Sequence, residues 1–175
     1  TQRARVDAAI VISGFPSGEF FAACVARRGK ELPEAFQQAY AEAAGDPQKM
    51  AGLIAEYWYP AHFLRVPWPD SITDAAGRLN PAFMNTVIGP NLLEPTGTMR
   101  GWTAQDRLTT LDVPLLVAGG AHDYYTPAEQ EAAYAAAKRA GVSVDYLFSN
   151  TASHNIWIED PDTFWPGLWA FLSRF

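Results

Sequence analysis

Cysteine is almost missing from this sequence: Cys24 is the single one in 175 residues. That excludes an intramolecular disulfide and a cysteine-based zinc cluster. No apolar run approaches the roughly 20 residues that span a bilayer. The opening Thr1-Gln2-Arg3-Ala4-Arg5 leads into an apolar stretch too short for the core and cleavage site of a secretory leader. Basic residues are outnumbered: 13 Lys and Arg against 19 Asp and Glu give a net charge of −6. That balance argues against nucleic acid or an anionic membrane as partner. Repeats and low-complexity tracts are absent. Apolar side chains are plentiful, at 49% hydrophobic against 18% charged, enough to build a core. At roughly 150 residues per domain, the expectation is one domain, or one core with an insertion. A soluble, cytoplasmic protein is expected, with any export signal lying outside these residues.

Composition divides the chain into three parts. In residues 1–14, Val6-Asp7-Ala8-Ala9-Ile10-Val11-Ile12-Ser13-Gly14 is an apolar, β-branched run without alternation, ended by Gly14 and Pro16. Such a run predicts a strand buried on both faces of a parallel sheet. Residues 15–102 predict helices and loops rich in aromatics, forming a small subdomain with its own core and, compatibly with that, a lid whose aromatics also line a pocket. Glu19 to Arg28 is helical in composition, with Gly29 as a stop. Glu31 to Ala44 has apolar residues at spacings of three and four, with Gly45 as C-cap. Asp46-Pro47 then opens a helix toward Tyr59, and the prolines from Pro60 onward break the remainder of this part into short pieces. Residues 103–175 alternate: a strand over Val113–Gly120, an Ala-rich helix over Ala128–Arg139 closed by Gly141, and a strand over Val142–Phe148. Asp160-Pro161 caps a final helix with Phe164, Trp165, Leu168, Trp169, Leu172 and Phe175 on one stripe. This order predicts a parallel α/β fold.

Three apolar strands make a narrow sheet, and the first carries no proline, bulge glycine or inward lysine of the kind that blunts a border strand. The chain is therefore expected to be the second half of a larger sheet, completed by an N-terminal piece or by another chain.

Ligands of open parallel sheets bind at the carboxyl ends of the strands. Two loops lie there: Gly119-Gly120-Ala121-His122-Asp123-Tyr124-Tyr125-Thr126-Pro127, and Ser149-Asn150-Thr151-Ala152-Ser153-His154-Asn155. Taken singly, Asp123 reads as a turn or helix-cap residue, and His154 as a structural side chain. Taken together, they form the orienting half of a nucleophile-activating triad, in which carboxylate fixes the imidazole tautomer and imidazole takes the nucleophile's proton. His122 and His62 have no such context.

The strand Pro114–Gly120 with Asp123, Thr126 and Pro127, followed by Ser153-His154 and Glu159-Asp160-Pro161, resembles the C-terminal part of an α/β-hydrolase. More narrowly, Asn80-Pro81, Gly89-Pro90-Asn91, Thr96-Gly97-Thr98 and Trp102 are similar to proline iminopeptidases. The helical excursion after Gly14 falls where that family inserts its cap domain, and the resemblance runs through essentially the whole chain.

The resemblance implies a serine hydrolase that releases an N-terminal aminoacyl group from a small peptide or acyl amide, with neither metal nor cofactor. Asp123 and His154 would be catalytic. The serine would sit on a Gly-x-Ser-x-Gly elbow upstream, in a segment outside this chain, since neither Ser13 nor Ser17 has that spacing and Ser153 adjoins the histidine. Thr1 as an N-terminal nucleophile is a remote alternative. Where the family places two glutamates that receive the substrate's amine, this chain has Leu92 and Tyr124, so Glu94 or Glu19 would have to substitute. An esterase or other amidase on the same fold, a self-processed enzyme and a non-catalytic binding module are the alternatives.

Overall fold

The computed structural model describes residues 6–43 and 45–175. Thr1, and Ala44 at the end of one expected helix, lie outside them. Strand β1 (Ala9–Ile12) is followed by α1 (Gly18–Glu31), α2 (Glu34–Glu42), α3 (Pro47–Leu53) and a π-helical stretch (Ile54–Phe63). Next come α4 (Asp70–Gly77), α5 (Pro81–Val87), a 3₁₀ turn (Thr98–Gly101) and α6 (Gln105–Leu108). The alternating part comes last, as β2 (Leu115–Gly120), α7 (Pro127–Arg139), β3 (Val144–Ser149), α8 (Ile156–Glu159) and α9 (Pro161–Leu172). The chain divides into two compact units, one of Ser17–Trp102 and one of Thr103–Phe175 with the described residues up to Pro16.

In the sheet-bearing unit the strands lie in the order β1-β2-β3, all parallel, with Ala9 opposite Leu115 and Leu115 opposite Val144. Every residue of β2 is buried, as its unalternated sequence predicts for a central strand covered on both faces. On one face Leu116 and Ala118 pack against Ile156 of α8 and Phe164, Leu168 and Phe171 of α9. On the other, Leu115 and Val117 meet Tyr134 and Ala137 of α7. Burial pushes the Tyr134 phenol up to about 12, so it stays neutral in this apolar layer.

Two expectations need correction here. The strand expected over Val6–Gly14 is shorter and not buried on both faces, since Ile10 and Ile12 are 38% and 37% exposed. They stand opposite Leu116 and Ala118, on the face that α8 and α9 cover only farther along the sheet. Among the described residues β1 pairs with β2 alone. The last helix also buries a narrower stripe than expected. Phe164, Leu168 and Phe171 face inward, whereas Trp165, Trp169 and Phe175 are exposed. Gly167 explains which way the helix is turned. A Cβ there would come within 2.5 Å of the Leu147 side chain, so the small residue faces β3 and the two tryptophans turn away from it.

The other unit is helical and has an aromatic core of its own. Phe21, Val25, Phe36, Trp58, Leu64 and Leu93 are buried, with Phe36 against Tyr40 and Tyr57 at ring distances of 5.3 and 5.6 Å. Ser17 caps α1 by accepting the Phe20 amide at 3.2 Å. That helix runs through the buried Gly29, expected to stop it, as far as Glu31. Pro33 ends the continuity instead, and the helix expected from Glu31 starts only at Glu34. Asp46 caps α3 as its Asp-Pro pair predicts, and Asn80 ahead of Pro81 caps α5 in the same way. Pro60 does not break the chain where expected. It lies within the π-helical stretch, whose wider turn relieves the clash of a proline ring with the preceding turn.

At the carboxyl ends of β2 and β3 the two loops are fastened together by backbone hydrogen bonds. Ala121 N–H donates to Ser149 O at 2.8 Å and His122 N–H to Ala152 O at 3.0 Å. Gly120 makes that approach possible, because a Cβ there would lie 2.1 Å from the Ala152 carbonyl oxygen and 2.6 Å from that of Ser153. The outer loop is also tied to the helices behind it. Ser149 Oγ accepts the Ala152 amide at 3.0 Å and donates to Asp160 Oδ2 at 2.6 Å. Ser153 donates its amide and hydroxyl to Glu159 Oε2 at 2.7 and 2.6 Å. The Ser149 hydroxyl, with help from Thr163, holds the Asp160 carboxyl below the usual carboxylate range.

Gly120→Ala is expected to destabilise the protein by about 1–3 kcal/mol and to broaden or abolish the hydrogen-bonded imidazole proton signal of His154 in NMR. Gly52→Ala, where nothing lies within 4 Å of the added Cβ, leaves the signal intact. Asp160 brings a pH effect. Its carboxyl is lowered in the folded state, so its contribution is present above the unfolded pKa and lost as pH falls through the folded one. Ser149→Ala removes that contribution, so the fall in melting temperature between pH 7 and pH 3 becomes smaller than in the parent.

Candidate active site

Asp123 and His154, placed by sequence on neighbouring loops, meet at the rim of the sheet. His154 Nδ1 lies 2.8 Å from Asp123 Oδ1. The carboxylate is fully buried, while the imidazole side chain is 23% exposed. The same Oδ1 accepts the backbone amide of Tyr124 at 2.6 Å. An oxygen that already accepts one N–H acts as acceptor toward the ring as well, so the proton of a neutral imidazole sits on Nδ1 and the lone pair on Nε2. This arrangement can remove a proton from a hydroxyl and return it to a leaving group. A buried carboxylate needs such bonds in any case, because burying it unpaired costs several kcal/mol.

Thr126, rather than Asp123, caps α7. Its hydroxyl accepts the Glu129 amide at 3.2 Å, and Glu129 Oε2 accepts the Thr126 amide at 2.8 Å. This reciprocal box fixes the far end of the aspartate loop and frees Asp123 for the imidazole. Tyr124, expected to touch substrate, lies against the histidine. The two rings are stacked, with centroids 4.3 Å apart and planes 16° from parallel. Tyr125 packs edge-on to Tyr124 at 6.0 Å, and Phe15 packs against Tyr125 at the same distance. Gln130, on the first turns of α7, is fully buried, and neither its amide nitrogen nor its amide oxygen finds a hydrogen-bond partner among the described residues.

The remaining expected site residues belong to the helical unit. Glu94 is exposed and accepts the Tyr40 hydroxyl at 3.0 Å, while Asn91 Nδ2 donates to that hydroxyl at 2.6 Å. Burial, the largest influence, pushes the Tyr40 phenol up. Leu92 is half-buried, and Glu19 is exposed in the first turn of α1, where a negative charge complements the helix dipole. Among the serines considered as nucleophiles, Ser17 is engaged in capping α1 and Ser153 in binding Glu159. Ser13 ends β1 in the left-handed region, at φ 48°, with a buried hydroxyl. Neither the Tyr124 stack nor the Ser149–Asp160 and Ser153–Glu159 ties are foreseen by the sequence reading. The last two carry a signal in hindsight, small hydroxyl residues facing an acidic pair across a short helix.

Among the described residues no group of three or more His, Cys, Asp and Glu could hold a metal ion. Nor is any helix there long and apolar enough to cross a membrane.

No family model matches the chain. Individual proteins do. It is 25% identical over 129 residues to a proline iminopeptidase of Flavobacterium johnsoniae, covering 73% of this chain and 42% of that one. It is 33% identical over 102 residues to a proline iminopeptidase of Thermoplasma volcanium, covering 55% and 34%. The chain thus spans less than half the length of these relatives. Among solved structures, the proline iminopeptidase of Mycobacterium smegmatis superposes with a TM-score of 0.80 at 25% identity, covering 95% of this chain and 56% of that one. VinJ superposes at 0.82 with 24% identity, covering 95% and 57%. With its parallel strands, flanking helices and partial span, the chain has the fold of the C-terminal portion of an α/β-hydrolase and is similar to proline iminopeptidases.

Proposed function

We propose that this chain supplies the base and its orienting carboxylate to a serine hydrolase that cleaves an amide or peptide bond, releasing an N-terminal aminoacyl group. The observation that carries the reading is the bond from His154 Nδ1 to the buried Asp123 Oδ1, made at the carboxyl ends of adjacent parallel strands. The names of the relatives support the substrate class.

The nucleophile in this reading is a serine on polypeptide outside these 175 residues, on a segment that also extends the sheet beyond β1. His154 Nε2 takes the serine proton as the hydroxyl oxygen attacks the carbonyl carbon. The imidazolium, steadied by Asp123, passes that proton to the leaving amine as the C–N bond breaks. Water then attacks the acyl-enzyme with the same base assistance, freeing the acid and restoring the serine. Neither half-reaction calls for a redox partner. In the helical unit, Glu94 is proposed as the carboxylate that receives a substrate ammonium, with Leu92 and Glu19 as further substrate contacts.

The test is to co-express the chain with the polypeptide encoded ahead of Thr1 and to assay aminoacyl anilides beside aryl esters. His154→Ala is expected to lower kcat about 10³-fold or more. Turnover within a few-fold of the parent would falsify the assignment. Hydrolysis of esters alone would move the substrate class to esters while leaving the machinery in place. Glu94→Gln is expected to raise KM for substrates with a free amine by about tenfold, with kcat little changed. An equal rise for amine-free substrates would remove Glu94 from that role.

A further inference from the structure

The aspartate that orients His154 also fixes the residue that covers it. Asp123 Oδ1 accepts the Tyr124 amide and the imidazole Nδ1 at the same time, so one oxygen sets both the ring and its neighbour. The Tyr124 side chain is 7% exposed, held edge-on by Tyr125, and lies nearly parallel to the imidazole at 4.3 Å. A phenol face at that distance is electron-rich toward whatever lies over it. Toward neutral imidazole the attraction is mainly dispersion, whereas toward imidazolium it gains a cation–π contribution. The gain is differential, favouring the protonated form.

We infer that Tyr124 is a positioning residue that holds the His154 ring in register with Asp123 and stabilises its protonated form through the π face. This rests on His154 being the base of the proposed reaction, but it is tested on the imidazole alone. Several charged and titratable groups of the described residues bear on the ring or its loop. Asp123 stands at Nδ1, Tyr124 lies across the face, His122 precedes the aspartate in its loop, and Glu159 binds Ser153, the residue before the histidine. Only Tyr124 changes in the experiment.

The measurement is the NMR titration of His154, assigned by its loss in His154→Gln, in protein labelled at histidine. Tyr124→Leu keeps an apolar cover but removes the π face, and the titration midpoint is expected to fall by about 0.4 to 1 pH unit. Tyr124→Phe keeps the face, and the midpoint is expected to stay within about 0.2 unit of the parent. A Leu variant whose midpoint holds or rises overturns the inference, and so does a Phe variant that falls as far as the Leu variant. Should Tyr124→Leu fail to fold, phenylalanines bearing one, two and three ring fluorines at position 124 keep the shape and progressively drain the face. A stepwise fall supports the inference, and a flat series overturns it. The titration is independent of turnover, so loss of the proposed reaction and loss of this role are read separately.

Discussion

The bond between a fully buried carboxylate and a partly exposed imidazole constrains everything around it. A carboxylate at zero exposure survives only if donors are delivered to it, and here the donors come from two loops that leave neighbouring strands at one rim. The loops must approach closely, which accounts for a glycine at the end of β2. They must also be held in place, which accounts for the capping box on one side and the Ser149–Asp160 and Ser153–Glu159 ties on the other. The central strand is apolar on both faces for the same reason. A rigid, doubly covered strand is what lets a loop residue be placed to within an ångström.

Much of this was legible in the amino acids. The unalternated run at Val113–Gly120 announced a buried strand of a parallel sheet, and the Asp-Pro pairs announced helix starts. Asp123 and His154 stood out because each lies just after a strand of one sheet, a placement that topology turns into proximity. The misreadings have physical causes. Residues Val6–Gly14 look buried on both faces because they are apolar, but burial depends on what covers them, and α8 and α9 pack over Leu116 and Ala118 while leaving their neighbours Ile10 and Ile12 more than a third exposed. Gly29 suggests a stop by its flexibility, yet the helix continues through it and ends only ahead of Pro33. Pro60 suggests a break, yet a π-helical turn accommodates it. The Tyr124 stack was invisible because nothing in a one-dimensional pattern tells which way an aromatic ring turns from its backbone.

The helical unit illustrates the same separation between composition and role. Its aromatics invite a pocket reading, but Phe36, Trp58 and the rings around them are occupied with one another as a core. Glu94, the candidate for contact with a substrate, is tied through Tyr40 and Asn91 into a polar cluster at the edge of that core. A carboxylate held in this way has a defined direction, which a freely rotating surface glutamate lacks.

The register of the sheet bears on how the chain assembles. Leu115 and Val144, paired across β2 and β3, are 29 residues apart, whereas Ala9 and Leu115, paired across β1 and β2, are separated by 106. Closing the longer loop costs about 1 kcal/mol more in chain entropy if the intervening residues are unstructured, and less once the helical unit has folded and drawn its ends together. The pairing of the second and third strands, with the two loops that bring acid and imidazole together, is therefore the more local one and the cheaper to close. A nascent chain leaving the ribosome would hold β1 without its β2 partner until Leu115–Ala118 had emerged.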